Sequence, residues 1–399
     1  MVDKNKTTFK PANEAQVVEA VQWALSSETA MDLSGSGSKR DIGNLMETGC
    51  GLDFSDLTGI SLYEPEELVM AAGAGSLLGD IEKELTSKGQ AFAFEPPNFS
   101  HLFGLETQGT LGGMVASGFA GPRRIQAGGV RDHVLGVRAV SGRAEVFKTG
   151  GRVMKNVTGY DLPKILTGSW GTLAAMTQIT FKVLPKPETE ATLALIGLDD
   201  ETAMKAMSAG LGAPVDVSAA AHVPGTRTLL RLEGLVPSVS ARMESLKTLL
   251  APFGEIDVLG RDMSLDVWSK VRDVRLLGTD DKTRENAIWR LSVPPAQGAK
   301  VLAEIKAAIN VNAFFDWGGG LIWLEVLNED NACAATIRSA VATSGGHATL
   351  IRATEALRAG SAVFQPQSTV LTLLSERLKG SFDPKGILNP GRMYEQVKR

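Results

Sequence analysis

Two glycine-rich loops in the first half of the sequence have residue types and spacing that could bind phosphate groups. The first loop spans residues 34–40 and reads SGSGSKR. A pyrophosphate needs converging backbone N–H donors, open space beside the backbone and nearby positive charge, and this loop offers all three. A flexible Ser/Gly linker has a similar composition. Taken alone, the first loop therefore leaves both interpretations open.

The second loop spans residues 109–124 and reads GTLGGMVASGFAGPRR. Because nearly all of its side chains are small, a flat ligand could lie against the backbone along most of its length. Its glycines lack the G-x-G-x-x-G spacing of a Rossmann fold, and no Gly-Lys-Ser/Thr step ends it as in a Walker A loop. Arg123 and Arg124 could hold a carboxylate or phosphate bidentately, although one of the two is expected only to face solvent.

A third segment, residues 155–173, ends in GSWGTL. The order SGSGS, TLGG and GSWGTL resembles the FAD-binding (PCMH-type) domain of the vanillyl-alcohol oxidase family. Further segments are similar to those of FAD-binding E subunits of bacterial glycolate oxidases: FEPP at 94–97, SGFAGPRR at 117–124, VRDHVLG at 130–136 and GRVMKNVTGYD at 151–161. The resemblance is dense over residues 11–187 and clear again over 382–392.

The resemblance implies that the chain binds FAD through these loops. Covalent attachment of flavin in this family uses a histidine in the first loop or a histidine or cysteine in the second, and neither is present at those places, so the FAD is expected to be non-covalent. The residues that the resemblance places at the cofactor are Ser34, Gly35, Ser36, Gly37, Ser38, Lys39, Thr110, Gly112, Gly113, Ser117, Gly118, Gly168, Ser169, Gly171 and Ile179.

The resemblance also implies a function. The expected activity is oxidation of a 2-hydroxy acid, glycolate or D-lactate, to the 2-oxo acid by hydride transfer to flavin, or relay of the electrons within a complex. The implied partners are a second FAD-containing catalytic subunit and an iron–sulfur subunit. The alternative is a scaffold subunit in which flavin is only structural or is absent. No catalytic base or metal pair can be assigned, since His101, His133, His222 and His347 are scattered.

Composition excludes other classes of function. The net charge of -4 provides no basic field for nucleic acid or anionic lipid. Cys50 and Cys333 are too few for a disulfide framework or an iron–sulfur cluster, and such usage fits a reducing cytoplasm. No segment approaches the roughly 20 apolar residues of a spanning helix. We therefore expect a cytoplasmic protein that would meet a membrane only through a partner.

Two arginines of the second half, Arg290 and Arg352, lie on predicted strands and could reach a substrate carboxylate, but salt bridges would explain them equally well. Tryptophans of the same region are expected mainly to fill the core. They are Trp268, Trp289, Trp317 and Trp323.

Hydrophobic periodicity predicts the elements that position the loops. Asn13 is predicted to cap a helix, a strand at 31–33 leads into the first loop, and a strand at 67–72 is followed by a helix that Ser76 caps and that ends before Gly89. Residues 176–184 alternate apolar and polar side chains as a half-buried strand does. Alternating helices and strands are thus expected around the loops.

The Pro-Lys-Pro step at 185–187 is the predicted domain boundary. We expect an α+β fold: a two-lobed PCMH-type FAD-binding domain at 1–187, a ferredoxin-like antiparallel α+β cap for substrate or docking at 188–370, and a C-terminal helix and tail at 371–399 that return to the FAD domain. The cap should contain strands at 229–232, 287–293 and 321–326, with helices at 238–250, 297–309 and 331–343 on one face of its sheet.

Overall fold

The computed structural model describes residues 7–152, 160–278, 285–327 and 331–394. The first half of the chain contains two main sheets. A parallel sheet has the order β1-β3-β2, and an antiparallel sheet has the order β4-β5-β9-β7-β8. The strands are β1 Thr7–Phe9, β2 Met31–Ser34, β3 Cys50–Asp53, β4 Ile60–Glu64, β5 Val69–Gly73, β6 Gln90–Ala91, β7 Val134–Ser141, β8 Val146–Gly150, β9 Ala174–Lys182 and β10 Leu184–Pro185.

The helices of this half are mostly short and pack against the two sheets. They are α1 Glu14–Ser26, α2 Leu78–Ser87, α3 Leu111–Ser117, α4 Arg124–Ala127, α5 Val130–His133 and α6 Leu162–Leu166. The parallel sheet packs on α1, and the antiparallel sheet packs on α2 and α3. The sheets thus form two lobes, each with a separate apolar core.

Most local predictions for this half are confirmed. Asn13 caps α1, its side chain accepting a hydrogen bond from the backbone N–H of Gln16. On β9, Ile179 and Phe181 are buried while Gln178, Thr180 and Lys182 are partly exposed, so the predicted alternation is present. The predicted cap at Ser76 is wrong. The helix begins after Leu77, and the Ser76 hydroxyl instead accepts from the N–H of Gly59.

The second half forms one eight-stranded sheet, within the described residues, of order β14-β11-β13-β12-β16-β17-β15-β18. Its strands are β11 Thr189–Ile196, β12 Ala219–Val223, β13 Arg227–Gly234, β14 Ile256–Leu259, β15 Ile288–Ser292, β16 Val311–Asp316, β17 Leu321–Val326 and β18 His347–Arg352. Its helices are α7 Asp200–Gly212, α8 Val236–Leu250, α9 Arg261–Arg272, α10 Gly298–Lys306 and α11 Ala334–Ala342. The predicted strands and helices of the cap are present at these positions.

The order of these elements reveals two consecutive β-α-β-β-α-β units where one ferredoxin-like unit was expected. The first runs from β11 to β14 and the second from β15 to β18, and each has the ferredoxin-like strand order. His222 on β12 pairs with Phe315 on β16, which joins the units into one continuous sheet. The sequence did not predict this duplication, because local hydrophobic periodicity does not show that two successive units share the same strand order.

The helix α9, which was not among the predicted helices, lies on the opposite face of this sheet from α7. Leu230 contacts α7, since a Cβ built on Gly210 would come within 2.3 Å of its methyl group. The next residue, Arg231, points to the opposite face because side chains alternate along a strand. On that opposite face the indole N–H of Trp268 in α9 donates to the Thr192 hydroxyl at 2.7 Å. This face of the sheet is turned toward the first half of the chain.

The chain then returns to the first half. After α12 Glu355–Ala359 and α13 Thr369–Phe382, the tail runs beside β2. The N–H of Met31 donates to the Ile387 carbonyl at 2.7 Å, and the N–H of Asn389 donates to the Met31 carbonyl at 3.0 Å. The expected return of the C-terminal segment is therefore confirmed. No helix in the described part of the chain has the length and apolar character that a membrane span requires.

Candidate functional site

A cleft lies between the first loop, the start of α3 and the tail. Most of the residues predicted to contact the cofactor line it: Ser34, Gly35, Ser36, Gly37, Ser38, Lys39, Thr110, Gly112, Gly113 and Gly171. Loops that are far apart in the sequence thus converge on one cavity.

Three cations give the cleft a positive lining. Arg40 contacts Asp32 at 3.2 Å, whereas no described group lies within hydrogen-bonding or ion-pair distance of the Lys39 ammonium. Burial lowers the pKa of Lys39 to about 8 and that of Arg392 to about 10. Among the described residues, the buried Nε of Arg392 has no hydrogen-bond partner. Buried cations without counterions favour binding of an anion.

The glycines of the two loops are required by close contacts and by the cavity. A Cβ built on Gly35 would lie 2.4 Å from the Thr110 hydroxyl, so the loops could not approach each other with a larger residue there. Thr110 also caps α3 by accepting from the N–H of Gly113. A Cβ on Gly113 would meet nothing within 4 Å except that hydroxyl, at 3.2 Å. Its α-carbon therefore faces the open cleft.

The remaining predicted cofactor residues do not line this cleft. Ser117 ends α3, where its hydroxyl donates to the Met114 carbonyl, and Gly118 adopts the left-handed conformation that ends the helix. Gly168 and Ser169 face a second cavity beside α13. Ile179 is fully buried in the core of the antiparallel sheet. Their contacts with the cofactor stay predictions. Within the third motif, residues 153–159 lie outside the described residues.

Two residues of the tail complete the cleft and were not among the predicted cofactor residues. The Asn389 side chain accepts from the Leu33 N–H at 2.7 Å and donates to the Trp170 carbonyl at 2.7 Å, which ties the end of β2 to the turn containing Gly171. Arg392 donates to the Lys39 carbonyl at 2.9 Å. The similarity of segment 382–392 to the family was the available signal, but it did not indicate which loops the tail contacts.

The interface between the two halves contains an ion pair between the buried Arg231 and the partly buried Glu95. Arg231 of the cap donates to both carboxylate oxygens of Glu95, at 2.9 and 3.0 Å. Burial opposes the charged form of Glu95, but the charge and hydrogen bonds of Arg231 hold its pKa below the ordinary value. Arg123 contacts Glu233 of the cap at 3.3 Å. Arg123 is therefore an interface residue rather than a cofactor ligand.

Arg352, a candidate for binding a substrate carboxylate, makes structural contacts instead. It is buried, lies 3.7 Å from Glu325 and donates to the carbonyls of Asn286 and Leu102. The histidines are equally dispersed: His133 contacts the Ala127 carbonyl, and His222 contacts Asp200 and Thr228. No histidine or cysteine lies among the described residues that line the cleft.

The residues that line the cleft fit FAD in their chemistry. The cations of the cleft suit a pyrophosphate, and the cradle around Gly113 would be filled by a Cβ. Trp170 lines the cleft and contacts Phe119 edge-on with ring centroids 5.7 Å apart, so the cavity borders an aromatic wall. Lys39, Arg392 and the N–H groups of the first loop would hold the pyrophosphate.

Comparisons with known proteins agree with this geometry. The family model described as FAD binding domain matches residues 6–150. The chain is 35% identical over 382 residues to glycolate oxidase subunit GlcE of Escherichia coli strain K12, covering 96% of this chain and 97% of that one. It is 27% identical over 401 residues to glycolate oxidase subunit GlcD of Bacillus subtilis strain 168, covering 88% and 81%.

Among solved structures, p-cresol methylhydroxylase with substrate bound matches with a TM-score of 0.72 at 13% identity, covering 96% of this chain and 88% of that one. This likeness concerns the fold alone, and it confirms the α+β fold with a PCMH-type FAD-binding domain. FAD is the cofactor, and the chain is an FAD-dependent oxidoreductase of a family that oxidises 2-hydroxy acids. The chain belongs to the family of FAD-binding glycolate oxidase subunits.

Proposed function

We propose that this chain is the FAD-binding subunit of a complex that oxidises 2-hydroxy acids, glycolate or D-lactate, to 2-oxo acids. The observation that supports this best is the positively charged cleft beside an aromatic wall, between the glycine-rich segments of the first half and the tail. FAD is bound there without a covalent bond, since the described lining contains neither histidine nor cysteine. The name of the E. coli relative, which matches over nearly its whole length, points to the same substrate class.

The reaction requires two transfers from the substrate. The hydroxyl group gives a proton to a base, and the Cα–H gives a hydride, which FAD accepts when it is bound. The chain must therefore hold the cofactor, orient the Cα–H and place a cation at the carboxylate. Lys39, Arg392 and the first loop serve the first of these tasks.

The base that accepts the hydroxyl proton of the substrate is harder to assign than the cofactor site. The candidates for this base are His101, His347, Glu325 and Tyr160. Glu325 is held by Arg352 and Asn286, and Tyr160 is 86% exposed, which makes both poor candidates. Burial, followed by the charge of Arg275, lowers the pKa of His101, and a backbone hydrogen bond with Val274 opposes this shift. A neutral imidazole is suited to accept a proton.

The proposed partners are a second FAD-containing catalytic subunit and an iron–sulfur subunit. Cys50 is on β3 and Cys333 immediately precedes α11, so the only two cysteines of the chain are in different halves. An iron–sulfur cluster needs about four ligands, chiefly thiolates. Electrons that leave the flavin in single steps therefore need clusters on another chain.

The visible spectrum of the purified chain tests the proposal. We expect a yellow protein whose colour passes to the supernatant on acid precipitation. Anaerobic addition of glycolate or D-lactate should bleach the flavin slowly in the isolated chain and rapidly when the partner subunits are present. A colourless chain that takes up no added FAD contradicts the proposal. Failure of the complete complex to be bleached by either acid would favour the scaffold alternative.

A further inference from the structure

Two arginines from different halves of the molecule meet over one tryptophan ring. Arg124 is the first residue of α4, and its guanidinium carbon lies 4.3 Å from the centre of the Trp317 ring. Arg290, in the middle of β15, lies 5.0 Å from the same ring and 5.7 Å from the Phe119 ring. The indole N–H of Trp317 donates to the Gly121 carbonyl at 3.0 Å, which fixes the ring between the halves.

Neither guanidinium has an acidic or carbonyl partner within the part of the chain that the structure describes. The other arginines of this interface do: Arg123 contacts Glu233, Arg231 contacts Glu95 and Arg352 contacts Glu325. The acid that acts electrostatically on Arg290 is Asp316, whose Oδ1 accepts from the Trp317 N–H at 2.7 Å. Two cations are thus held together against an aromatic wall without a matching carboxylate.

Such an arrangement costs free energy in the absence of an anion. Burial, and then the charge of Arg124, lower the pKa of Arg290 to about 10. Burial and the charges of Arg290 and Arg124 also lower the pKa of His347, which places that ring near the same pair. A bound anion would offset these repulsions and accept hydrogen bonds from both guanidiniums.

The pair is close to the cofactor cleft. Phe119, which Arg290 contacts, packs edge-on against Trp170, and Trp170 lines the cleft. One aromatic side chain thus separates the arginines from the residue that borders the flavin site. The shared rings of Phe119 and Trp317 leave the site flat and apolar on one side and cationic on the other. The planar fork of each guanidinium matches the two oxygens of a carboxylate.

We infer that Arg124 and Arg290 together bind the carboxylate of the 2-hydroxy acid substrate. This inference rests on the proposed function and adds the residues that select an acid over a neutral alcohol. The two guanidiniums would hold the carboxylate at the interface of the halves, so that the hydroxyl-bearing carbon extends toward the flavin. Substrate binding would then need both halves, whereas FAD binding needs mainly the first half and the tail.

Calorimetric titration of the FAD-loaded chain with oxalate tests the inference without turnover, because oxalate has no Cα–H to transfer. We expect Arg124→Gln and Arg290→Gln each to weaken oxalate binding at least tenfold, with flavin absorbance unchanged. Arg124→Lys and Arg290→Lys should recover part of the affinity. The control is Arg143→Gln, at an exposed turn between β7 and β8, which should bind oxalate as the unsubstituted chain does.

The outcomes separate the inference from the proposed function. If Arg124→Gln binds oxalate as tightly as the unsubstituted chain does, the inference is wrong. It is also wrong if the unsubstituted chain does not bind oxalate. Arg124 is exposed, so this variant stays informative if Arg290→Gln does not fold. Loss of oxalate binding in both variants supports the inference even when the complex fails to oxidise glycolate. Glycolate oxidation with an unchanged KM in both variants contradicts the inference and leaves the proposed function intact.

Discussion

At the scale of single residues, FAD binding in the cleft requires a residue without a side chain at position 113. We expect Gly113→Val to weaken FAD binding by more than 100-fold, since a branched side chain would occupy the space of the cofactor and displace at least two phosphate hydrogen bonds worth about 1.5 to 3 kcal/mol each. Equilibrium titration of the apoprotein with FAD measures this. Gly260→Val is the matched control, because a Cβ there meets nothing within 4 Å. Equal affinities for the two variants would show that Gly113 does not face the cofactor.

The pKa of Lys39 predicts, at the same scale, that FAD affinity depends on pH. Its pKa is lowered to about 8 in the free protein, and only the protonated form attracts the pyrophosphate. FAD affinity should therefore fall as the pH rises from 7 to 9, because binding must then include uptake of a proton. Lys39→Arg keeps its charge over this range and should show a flatter profile. Parallel profiles for the two proteins would exclude Lys39 as a phosphate ligand.

At the scale of elements, one amide joins β2, the Gly171 turn and the tail. Asn389→Ala leaves the Leu33 N–H and the Trp170 carbonyl without partners, and Asn389 itself is buried. We expect a loss of about 2 to 4 kcal/mol in the free energy of unfolding, as well as weaker FAD binding. Urea unfolding and FAD titration measure the two effects. Asn312→Ala, at an exposed position of β16, should change neither quantity. A lower free energy of unfolding with unchanged FAD affinity would show that the Asn389 amide does not contribute to cofactor binding.

Elements with a local pattern were predictable, whereas contacts between distant elements were not. Asn13 and residues 321–326 carry their own signals, a cap before a periodic helix and a short apolar run, and both predictions are confirmed. Ser76 carried the signal of a cap but bonds to Gly59 instead, because a tertiary contact prevailed over the local one. The glycine loops of the cleft were visible in the sequence. The contributions of Asn389 and Arg392 were not, since they depend on where the tail returns.

At the scale of the whole molecule, the two halves are joined by the Glu95–Arg231 pair. Glu95 also has a positive φ of 49°, an uncommon conformation for a residue other than glycine. Arg231→Met would leave the partly buried Glu95 carboxylate without its guanidinium and with only the Arg123 N–H as a donor among the described residues, at a cost of about 3 kcal/mol. Because the pKa of Glu95 is held low by Arg231, the contribution of the pair is present above the unfolded pKa of about 4.3 and is lost as the pH falls through the folded value.

Urea unfolding at pH 7 and at pH 3 measures this contribution. We expect Arg231→Met to lower the free energy of unfolding strongly at pH 7 and less at pH 3. Arg275→Met is the control, because its contact with Asp273 is 4.0 Å long and its side chain is 52% exposed, so it should cost less than about 1 kcal/mol. A similar small loss in both variants would mean that the interface does not depend on the Glu95–Arg231 pair.

The return of the tail also determines when the protein can acquire its cofactor during biosynthesis. Asn389 follows Leu33 by 356 positions, and Arg392 follows Lys39 by 353. At a translation rate of roughly 5 to 20 residues per second, the first loop leaves the ribosome about 20 to 70 s before the residues that support it. The whole cap is synthesised in that interval. Loading with flavin thus comes late, and a chain arrested within the cap would contain both glycine loops yet bind FAD poorly, so that retention of the cofactor marks complete synthesis.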